Sequence, residues 1–591
     1  MIEDQNLEKI KEFLAILDSN SQPINEMEIS GKVKKFAEEK YGKNIPEELV
    51  TEQMAFDFIE NYSDEKTGWG IYFGPMFVLP NEEGKFVEYP SIRRITPEII
   101  AYWEKRVKEA KHPVLKARYA NLVWDFSEKI TGNKPHYTIA QMIIGSIIEI
   151  AENNLHKYPT DVIKKLERAL SLALSINDVE LIEKLKNGII NYENKIAEDD
   201  KAGLWGFSYE LLVKNKKVSI GPDEEKKIID ALKQRFDRTL KKDNIFSVEH
   251  AALLLTDYYN RIGNKDKLKK TLIKFGSIVQ EKAEQVSALP GMAWLERLYS
   301  IYLQYGLMEE ADKVSIILRE LGEKANSELK KIEASIKIPK KEIEEFINKL
   351  IDGNLNTALA KVAIYYIPQK EKIIKQLRDL SRKAPISFLC TRKIQDHSGR
   401  VVASVGSLEE DLDGNIIHQI SQNMSFNSFF LQNTIKALIH KFNLDSETIV
   451  NCLFESPIFE EKKKGFFVDG IKAYLDENFI VALHILIPQI EALIRNLVEK
   501  TGGAVLKQSR SGGFYYKTLE ELLRSENVIN ALGEDMTFYF RVLFTDPRGW
   551  NLRNDICHGI SAMETFNKMT TDRVFHSLLC LSIGKERKGE E

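Results

Sequence analysis

Cysteine is scarce in this chain, and its four residues are scattered. They are Cys390, Cys452, Cys557 and Cys580. No CxxC pair occurs, and no histidine lies near them at the spacing of a zinc site, which argues against a disulfide framework and a structural metal. The pattern is typical of a reducing compartment. We therefore predict a cytoplasmic protein that uses no metal and no cofactor.

An excess of basic charge is also lacking. The 591 residues include 84 Lys and Arg against 88 Asp and Glu, a formal net charge of −4. Such a chain does not attract nucleic acid through its overall charge, so any contact must come from a local patch. The length predicts roughly two to four domains. The 43% of hydrophobic and 29% of charged residues are typical of a soluble globular protein.

Neither a signal peptide nor a membrane span is predicted. The start of the chain, MIEDQNLEKIKEF, is acidic and amphipathic, unlike a signal peptide. The most apolar run, FIVALHILIPQIEALI at 479–494, contains His484, Pro488 and Glu491 and is predicted to be too short and too polar for a bilayer. No Walker or Rossmann fingerprint follows a predicted strand, so no triphosphate chemistry is expected.

Helical periodicity dominates the chain, with two predicted β insertions. Short aromatic and β-branched runs around NEEGK predict a β-hairpin near 67–95, and two β-like runs around DHSG predict a second. We predict a mainly α protein with four segments. These are an N-terminal helical domain at 1–130, a helical-hairpin array at 131–383, a β-hairpin insertion at 384–423 and a C-terminal helical domain at 424–591.

The array has features of a helical repeat. GMAWLERLYSIYLQYGLMEEADKVSIILRELGEKA, at 291–325, places large apolar residues on one helix and small or β-branched residues on the next, and it resembles a tetratricopeptide hairpin. The period is irregular, and a helical array without a repeat is the alternative. Such arrays usually hold a partner or space a catalytic module.

The stretch NLRNDICHGI at 551–560 places a cation, an amide and an imidazole on one short segment. The spacing of Arg, four to six residues, then His occurs three times: Arg106 with His112, Arg392 with His397, and Arg553 with His558. Only the last pair falls in a predicted helical stretch, with Asn554 after the arginine and Gly559 after the histidine. TDPRG precedes it as a turn, so Arg553 is predicted in the first helical turn, where a phosphate would meet all three groups.

A helix predicted over NFIVALHILIPQIEALIRNLVEK supplies a matching surface. Its apolar stripe has alternating spacings of three and four residues and consists of Ile480, Leu483, Ile487, Ile490, Ile494 and Leu497. The neighbouring stripe holds Glu491 and Arg495, spaced for an i, i+4 ion pair. We expect these two residues to support the site formed by Arg553 and His558.

IPQIEALIR, followed by GWNLRNDICHGI, resembles a domain whose hallmark is RNxxxHG. That domain also occurs in the endoplasmic reticulum membrane-associated RNA degradation protein, and it is similar to the HEPN superfamily, whose ribonucleases use Arg, four to six residues, then His. KHPVLKARYANLVWDF resembles a helical segment that accompanies the domain in bacteria. The resemblance covers the C-terminal segment well, the N-terminal one loosely and the middle hardly at all. Cys557 stands where many relatives have Ala.

The resemblance implies a C-terminal HEPN-like helical bundle that cleaves RNA without a metal and leaves a 2′,3′-cyclic phosphate. His558 would transfer the proton of the ribose 2′-OH, Arg553 would neutralise the phosphorane, and Asn554 would orient the imidazole or donate to phosphate. Cleavage needs an acid and a base, and relatives supply both by dimerising, so a homodimer is expected. The implied role is a toxin-like or phage-defence effector, with a protein partner or trigger on the helical array.

The alternative is that the motif is structural. The same three residues would then form a helix-start cap with a buried ion pair to Glu491. The protein would be a non-catalytic helical scaffold or nucleotide-binding interaction protein, and its C-terminal domain would serve dimerisation.

The segment KTGGAVLKQSRSGGFYYK at 500–517 interrupts the C-terminal helices. It mixes basic side chains with aromatic rings, a combination that stacks bases and holds a nucleic-acid backbone. The candidate RNA-binding residues are Lys507, Arg510, Tyr515, Tyr516 and Lys517. A solvated flexible loop is the alternative.

Overall fold

The computed structural model describes residues 2–19, 22–62, 68–80, 86–242, 244–330, 337–510 and 512–584. Most of them lie in α-helices, and the described strands form four two-stranded antiparallel sheets. The prediction of a mainly helical protein with small β insertions is confirmed. The chain divides into two compact units, one of residues 1–285 with 297–311 and one of residues 286–296 with 312–591. The four predicted segments stay a prediction.

The first unit is a helical assembly with two small sheets. Its helices are α1 (Ile2–Asp18), α2 (Glu26–Tyr41), α3 (Glu47–Asp57), α4 (Pro97–Glu109), α5 (Pro113–Thr131), α6 (Tyr137–Asn153), α7 (Pro159–Ser175), α8 (Val179–Ile196), α9 (Pro222–Thr239), α10 (Ile245–Arg261) and α11 (Lys265–Gln285). Its strands are β1 (Ile59–Glu60), β2 (Phe73–Gly74), β3 (Phe77–Pro80) and β4 (Phe86–Tyr89). The pair β3–β4 is the predicted first hairpin, and its turn NEEGK lies outside the described residues.

Two helices, α12 (Ala288–Gln304) and α13 (Met308–Glu328), contain residues of both units. The second unit then continues with α14 (Lys340–Leu350), α15 (Leu355–Tyr365), α16 (Lys370–Lys383), α17 (Pro385–Leu389), α18 (Leu412–Phe442), α19 (Ser446–Leu453), α20 (Lys464–Leu475), α21 (Phe479–Lys500), α22 (Leu519–Leu523), α23 (Glu526–Leu532), α24 (Glu534–Phe544), α25 (Leu552–Cys557) and α26 (Lys568–Ser582). Its strands are β5 (Arg392–Gln395), β6 (Val401–Val405), β7 (Leu506–Gln508) and β8 (Phe514–Tyr516).

The β structure of the second unit differs in detail from the expectation. Strands β5 and β6 pair around DHSG as predicted, but helices occupy the ends of 384–423: α17 begins at Pro385, whose fixed φ suits a first helical position. The segment at 500–517 is not structureless, because β7 pairs with β8 in the register Lys507 to Tyr515. Ser511, in its turn, lies outside the described residues.

Helix α21 lies at the centre of the second unit and packs against α20, α22, α25 and α26. Leu483, Ile487, Ile490 and Ile494 of the predicted stripe are fully buried, whereas Ile480, in the first turn, is 43% exposed. Contrary to the prediction, α21 is long and apolar enough by length and composition to cross a membrane. Beyond the first turn, most of its apolar stripe is packed into the protein.

A buried ionic network joins the helices of the first unit. Lys165 Nζ lies 2.7 Å from carboxylate oxygens of both Glu26 and Glu60, and Glu60 also pairs with Arg118 at 2.8 Å. His156 Nε2 lies 3.0 Å from Glu26. Burial would raise the pKa of Glu26, but the charge of Lys165 and the contact with His156 outweigh burial and hold that pKa well below its usual range. Paired charges therefore stabilise the packing of α2, α5 and α7.

We expect Glu26→Gln to destabilise the first unit most at neutral pH. Because the pKa of Glu26 is lower in the folded than in the unfolded protein, its stabilisation is present above the unfolded value of about 4.3 and is lost as the pH falls through the folded value. The substitution should lower the free energy of unfolding by about 1.5–3 kcal/mol at pH 7 and by less at pH 3. Urea unfolding at both pH values measures this. The exposed Glu39→Gln on the same helix is the control, and a pH-independent loss for Glu26→Gln would contradict the argument.

Candidate functional site

The NLRNDICHGI segment folds as a short helix bounded by two residues with left-handed backbone. Asn551, with φ of 50°, precedes α25, and Gly559, with φ of 67°, follows it. A left-handed residue after a helix favours glycine, which has no Cβ to clash. The N–H groups of Ile560 and Ser561 then donate to the carbonyl of Asp555 at 2.8 and 3.1 Å. The glycine of the motif therefore ends the helix and closes its turn.

Arg553 lies in the first turn of α25, as the sequence predicts, and its side chain contacts α21. Its Nε donates to Glu491 Oε2 at 2.8 Å, and its Nη1 donates to Asn554 Oδ1 at 3.2 Å. Arg495 Nη2 donates to the other oxygen of Glu491, also at 2.8 Å. No hydrogen bond joins Arg553 Nη2 to the described part of the chain, and 22% of the side chain is exposed. The protein therefore fixes Nε and Nη1 of the guanidinium and leaves Nη2 free to donate to a ligand.

Asn554 positions this arginine. Its Nδ2 donates to Asn551 Oδ1 at 2.8 Å and to the carbonyl of Thr545 at 3.3 Å, while its Oδ1 accepts the bond from Arg553. Both polar atoms of the amide are therefore engaged within the protein. In this structure Asn554 contacts the arginine and not the imidazole.

His558 is the residue at which α25 ends, and it is exposed. Its backbone N–H donates to the carbonyl of Asn554 at 3.1 Å, and no hydrogen bond joins its imidazole to any described residue. Five residues along a helix correspond to a rotation of roughly 140°, so His558 and Arg553 do not share a face. The imidazole is accessible, but the structure does not bring it to the arginine of the same chain.

Cys557, rather than His558, shares the helical face of Arg553. The residue is exposed, but partial burial of its thiol raises the pKa, and the charges of Arg553 and Glu491 act on that pKa in opposite directions. Among the described residues, no group of three or more His, Cys, Asp or Glu side chains is arranged to hold a metal ion.

The β7–β8 hairpin carries the candidate RNA-binding side chains. Lys507 Nζ lies 4.9 Å from the ring centre of Tyr515 and also pairs with Glu521 at 2.5 Å. Arg510 is exposed, and Lys517 is half-buried. Tyr515 remains 48% exposed.

Tyr516 connects this hairpin to the motif. The guanidinium of Arg495 lies 4.5 Å from the centre of its ring, while the ring is still 56% exposed. Arg495 in turn binds Glu491, which binds Arg553. A continuous chain of contacts therefore runs from an exposed aromatic ring to the arginine of the motif. This chain brings together the residues that the sequence predicts separately as support and as RNA contact.

The arginines of the other two Arg–His spacings are engaged within the protein. Arg106 is 4% exposed and donates to the buried Glu52 at 2.7 Å, while His112 accepts from the backbone of Val114 at the start of α5. Arg392 donates to Asn415 at 3.2 Å. In both cases the arginine is engaged in structural contacts.

The comparisons with known proteins concern the first unit. Residues 70–184 match the family described as Domain of unknown function (DUF7380). No curated protein matches the chain, and no solved structure does. Because the match ends long before residue 551, it assigns no property to the Arg553 segment.

A double-mutant cycle measures the coupling between Glu491 and Arg553. The two side chains are only 14% and 22% exposed, so we expect the alanine variants to show a coupling energy of about 1–3 kcal/mol in urea unfolding. The exposed pair Lys340–Glu344 is the control and should give about 0.5 kcal/mol or less. Equal coupling in the two cycles would contradict the structural role of the Glu491 contact.

Proposed function

We propose that the C-terminal domain is a HEPN-type endoribonuclease that cleaves RNA without a metal, in the cytoplasm. The observation that supports it most is the arrangement of Arg553. Hydrogen bonds within the protein hold its Nε and Nη1, its Nη2 is free to bind a ligand, and an exposed histidine follows it in the motif. Buried structural arginines, such as Arg106, have no comparable access to solvent.

Arg553 stabilises the negative charge that develops on the non-bridging oxygens of the phosphorane. Its orientation is fixed before substrate binds, so little reorganisation is needed when the phosphorane forms. Glu491 neutralises only one of the two guanidinium groups it contacts, and the cluster keeps one uncompensated positive charge. A phosphate oxygen can accept from Nη2 while both protein contacts of Arg553 persist.

His558 transfers protons. An imidazole accepts the proton of the ribose 2′-OH as the 2′-oxygen bonds to phosphorus, and a second imidazole protonates the 5′-oxygen as the P–O5′ bond breaks. One chain supplies one such histidine, and His558 does not share a face with Arg553. Two copies related by a two-fold axis would place both histidines and both arginines in one cleft. We therefore assign the active form to a homodimer.

Replacing His558 with alanine should abolish cleavage. Loss of general acid–base catalysis predicts a rate at least about 10²–10⁴-fold lower, because that is its usual contribution. The assay follows labelled transfer RNA and messenger RNA in EDTA and identifies 2′,3′-cyclic phosphate ends. The exposed His440→Ala is the matched control and should cut as the wild type does. Equal cleavage by wild type and His558→Ala would refute the proposal.

Replacing Tyr516 with alanine should weaken RNA binding. Stacking of a base on an aromatic ring contributes about 1–3 kcal/mol, so the affinity for a single-stranded oligonucleotide should fall about 5- to 150-fold. Fluorescence anisotropy in the His558→Ala background measures binding without cleavage. Tyr137→Ala removes a similarly exposed tyrosine of α6 and should leave affinity unchanged. Equal losses in the two variants would show that Tyr516 makes no specific contact.

A scaffold role is the second candidate, and an aromatic patch in the second unit favours it. Phe429 contacts Phe430, which contacts Phe346, which contacts Tyr365, with ring centres 5.3–5.8 Å apart. Phe426, on the same helix α18, is 70% exposed. Exposed apolar patches of this kind often mark protein interfaces. In the ribonuclease account the same surface is available to the second copy or to the trigger of a toxin-like or phage-defence effector.

A further inference from the structure

A cavity of about 540 Å³ lies beside α25, and Glu491 is not among the residues that line it. The β5–β6 turn forms one wall, and the segment from Pro547 to Thr565 forms the other. Its volume lies within the range of ligand pockets, roughly 300–1,000 Å³. Arg553 and His558 do not line it, but Asn554 does.

Two acceptor groups in the cavity wall have unused capacity. Asp555 Oδ1 accepts from Asn551 Nδ2 at 2.8 Å, whereas no hydrogen bond joins Oδ2 to the described part of the chain. Ser561 Oγ is buried and also has no hydrogen-bond partner among the described residues. Buried polar atoms are normally paired, so Ser561 Oγ indicates a missing hydrogen-bond partner, while Asp555 Oδ2, which is not fully buried, is free to accept from a ligand. Burial raises the pKa of Asp555, and a ligand with N–H donors would stabilise its charged form.

The remaining wall fits a flat ring and an anion. Trp550 is partly buried in the wall and offers an indole for stacking. His397 and Arg400 also line the cavity and are exposed, and Arg400 Nε binds the lining carboxylate of Asp396 at 3.0 Å. An accepting carboxylate on Asp555, an aromatic ring and exposed basic side chains together match a nucleotide.

Hydrogen bonds connect the cavity to the motif. Asp555 accepts from Asn551, Asn551 accepts from Asn554, and Asn554 accepts from Arg553. A short series of hydrogen bonds would thus connect a base in the cavity to Arg553, the proposed phosphate contact.

We propose that this cavity binds a guanine base of the RNA, with the Asp555 carboxylate accepting from guanine N1–H and N2–H and the ring stacked on Trp550. Of the four common bases only guanine presents two adjacent N–H donors that match a carboxylate. The inference rests on the proposed ribonuclease function and adds its substrate preference: cleavage next to a guanosine. Asp555 is a specificity residue in this account and takes no part in proton transfer.

Nucleotide binding to the full-length chain tests this without relying on cleavage. Calorimetry with guanosine, inosine and adenosine 5′-monophosphates should show guanosine monophosphate binding about 10- to 100-fold tighter than adenosine monophosphate. Inosine monophosphate, which keeps N1–H but lacks the N2 amino group, should fall between them. Asp555→Asn should remove the preference, whereas Asp379→Asn, at an exposed aspartate of α16 that does not line the cavity, should keep it. Circular dichroism checks that both variants fold. The comparison of the three nucleotides on the wild type tests the proposal even if a variant does not fold.

Each result has a distinct meaning. Equal affinity for the three nucleotides, or a guanosine preference that survives Asp555→Asn, would overturn the pocket. RNA cleavage that depends on His558 but shows no preference for guanosine would also overturn it while leaving the ribonuclease intact. Guanosine binding through Asp555 in a protein that cleaves no RNA would support the pocket and refute the ribonuclease.

Discussion

The carboxylate of Glu491 accepts hydrogen bonds from two guanidinium groups, Arg495 on its own helix and Arg553 on α25. Because α21 is the central helix of the second unit, this carboxylate is fixed by the packing of the core on its opposite face. Its position in turn determines the direction of Arg553. Through Arg495 it also determines the surroundings of Tyr516. One face of α21 thus packs in the hydrophobic core, and another face contributes Glu491 and Arg495 to the candidate site.

Similar arginines in this protein acquire different roles from their surroundings. Arg106 and Arg553 each contact a glutamate and each precede a histidine by five or six residues. Arg106 is buried together with Glu52. The two charges stabilise the fold by pairing with each other, because an unpaired buried charge would be costly. Arg553 keeps one nitrogen open to solvent. Accessibility distinguishes the two positions, and the spacing of the motif alone does not.

Much of the site's local structure follows from nearby residues. The three- and four-residue spacing of apolar side chains predicts α21 and its buried face, and the i, i+4 spacing predicts the Glu491–Arg495 pair. The first-turn position of Arg553 follows from the turn before it. The exposure of Ile480 at the start of the apolar stripe could not be predicted in this way. Periodicity shows which side of a helix is apolar, but it does not show where the neighbouring elements that cover that side end.

The parts that sequence reasoning missed are those that depend on distant segments. Glu491 and Arg553 are 62 residues apart, and their pairing depends on how α25 packs on α21. The cavity beside Asp555 needs the β5–β6 turn, which is more distant still. One local signal was available: Asn551 and Asp555 stand at i, i+4 in the same stretch, the spacing of a side-chain contact. The strands around Tyr515 were obscured by glycines, which are typical of both loops and hairpin turns.

The proposed ribonuclease depends on Arg553 being fixed in position for phosphate before RNA binds. A crystal structure of the full-length chain with an RNA oligonucleotide that carries 2′-O-methyl groups and cannot be cleaved would show whether it is. We expect a phosphate oxygen within about 2.7–3.2 Å of Arg553 Nη2, with the bonds to Glu491 and Asn554 retained and a His558 imidazole, from either copy, beside the modified 2′-oxygen. An oligonucleotide bound away from α25, or one that leaves Arg553 without a phosphate contact, would refute this role of Arg553.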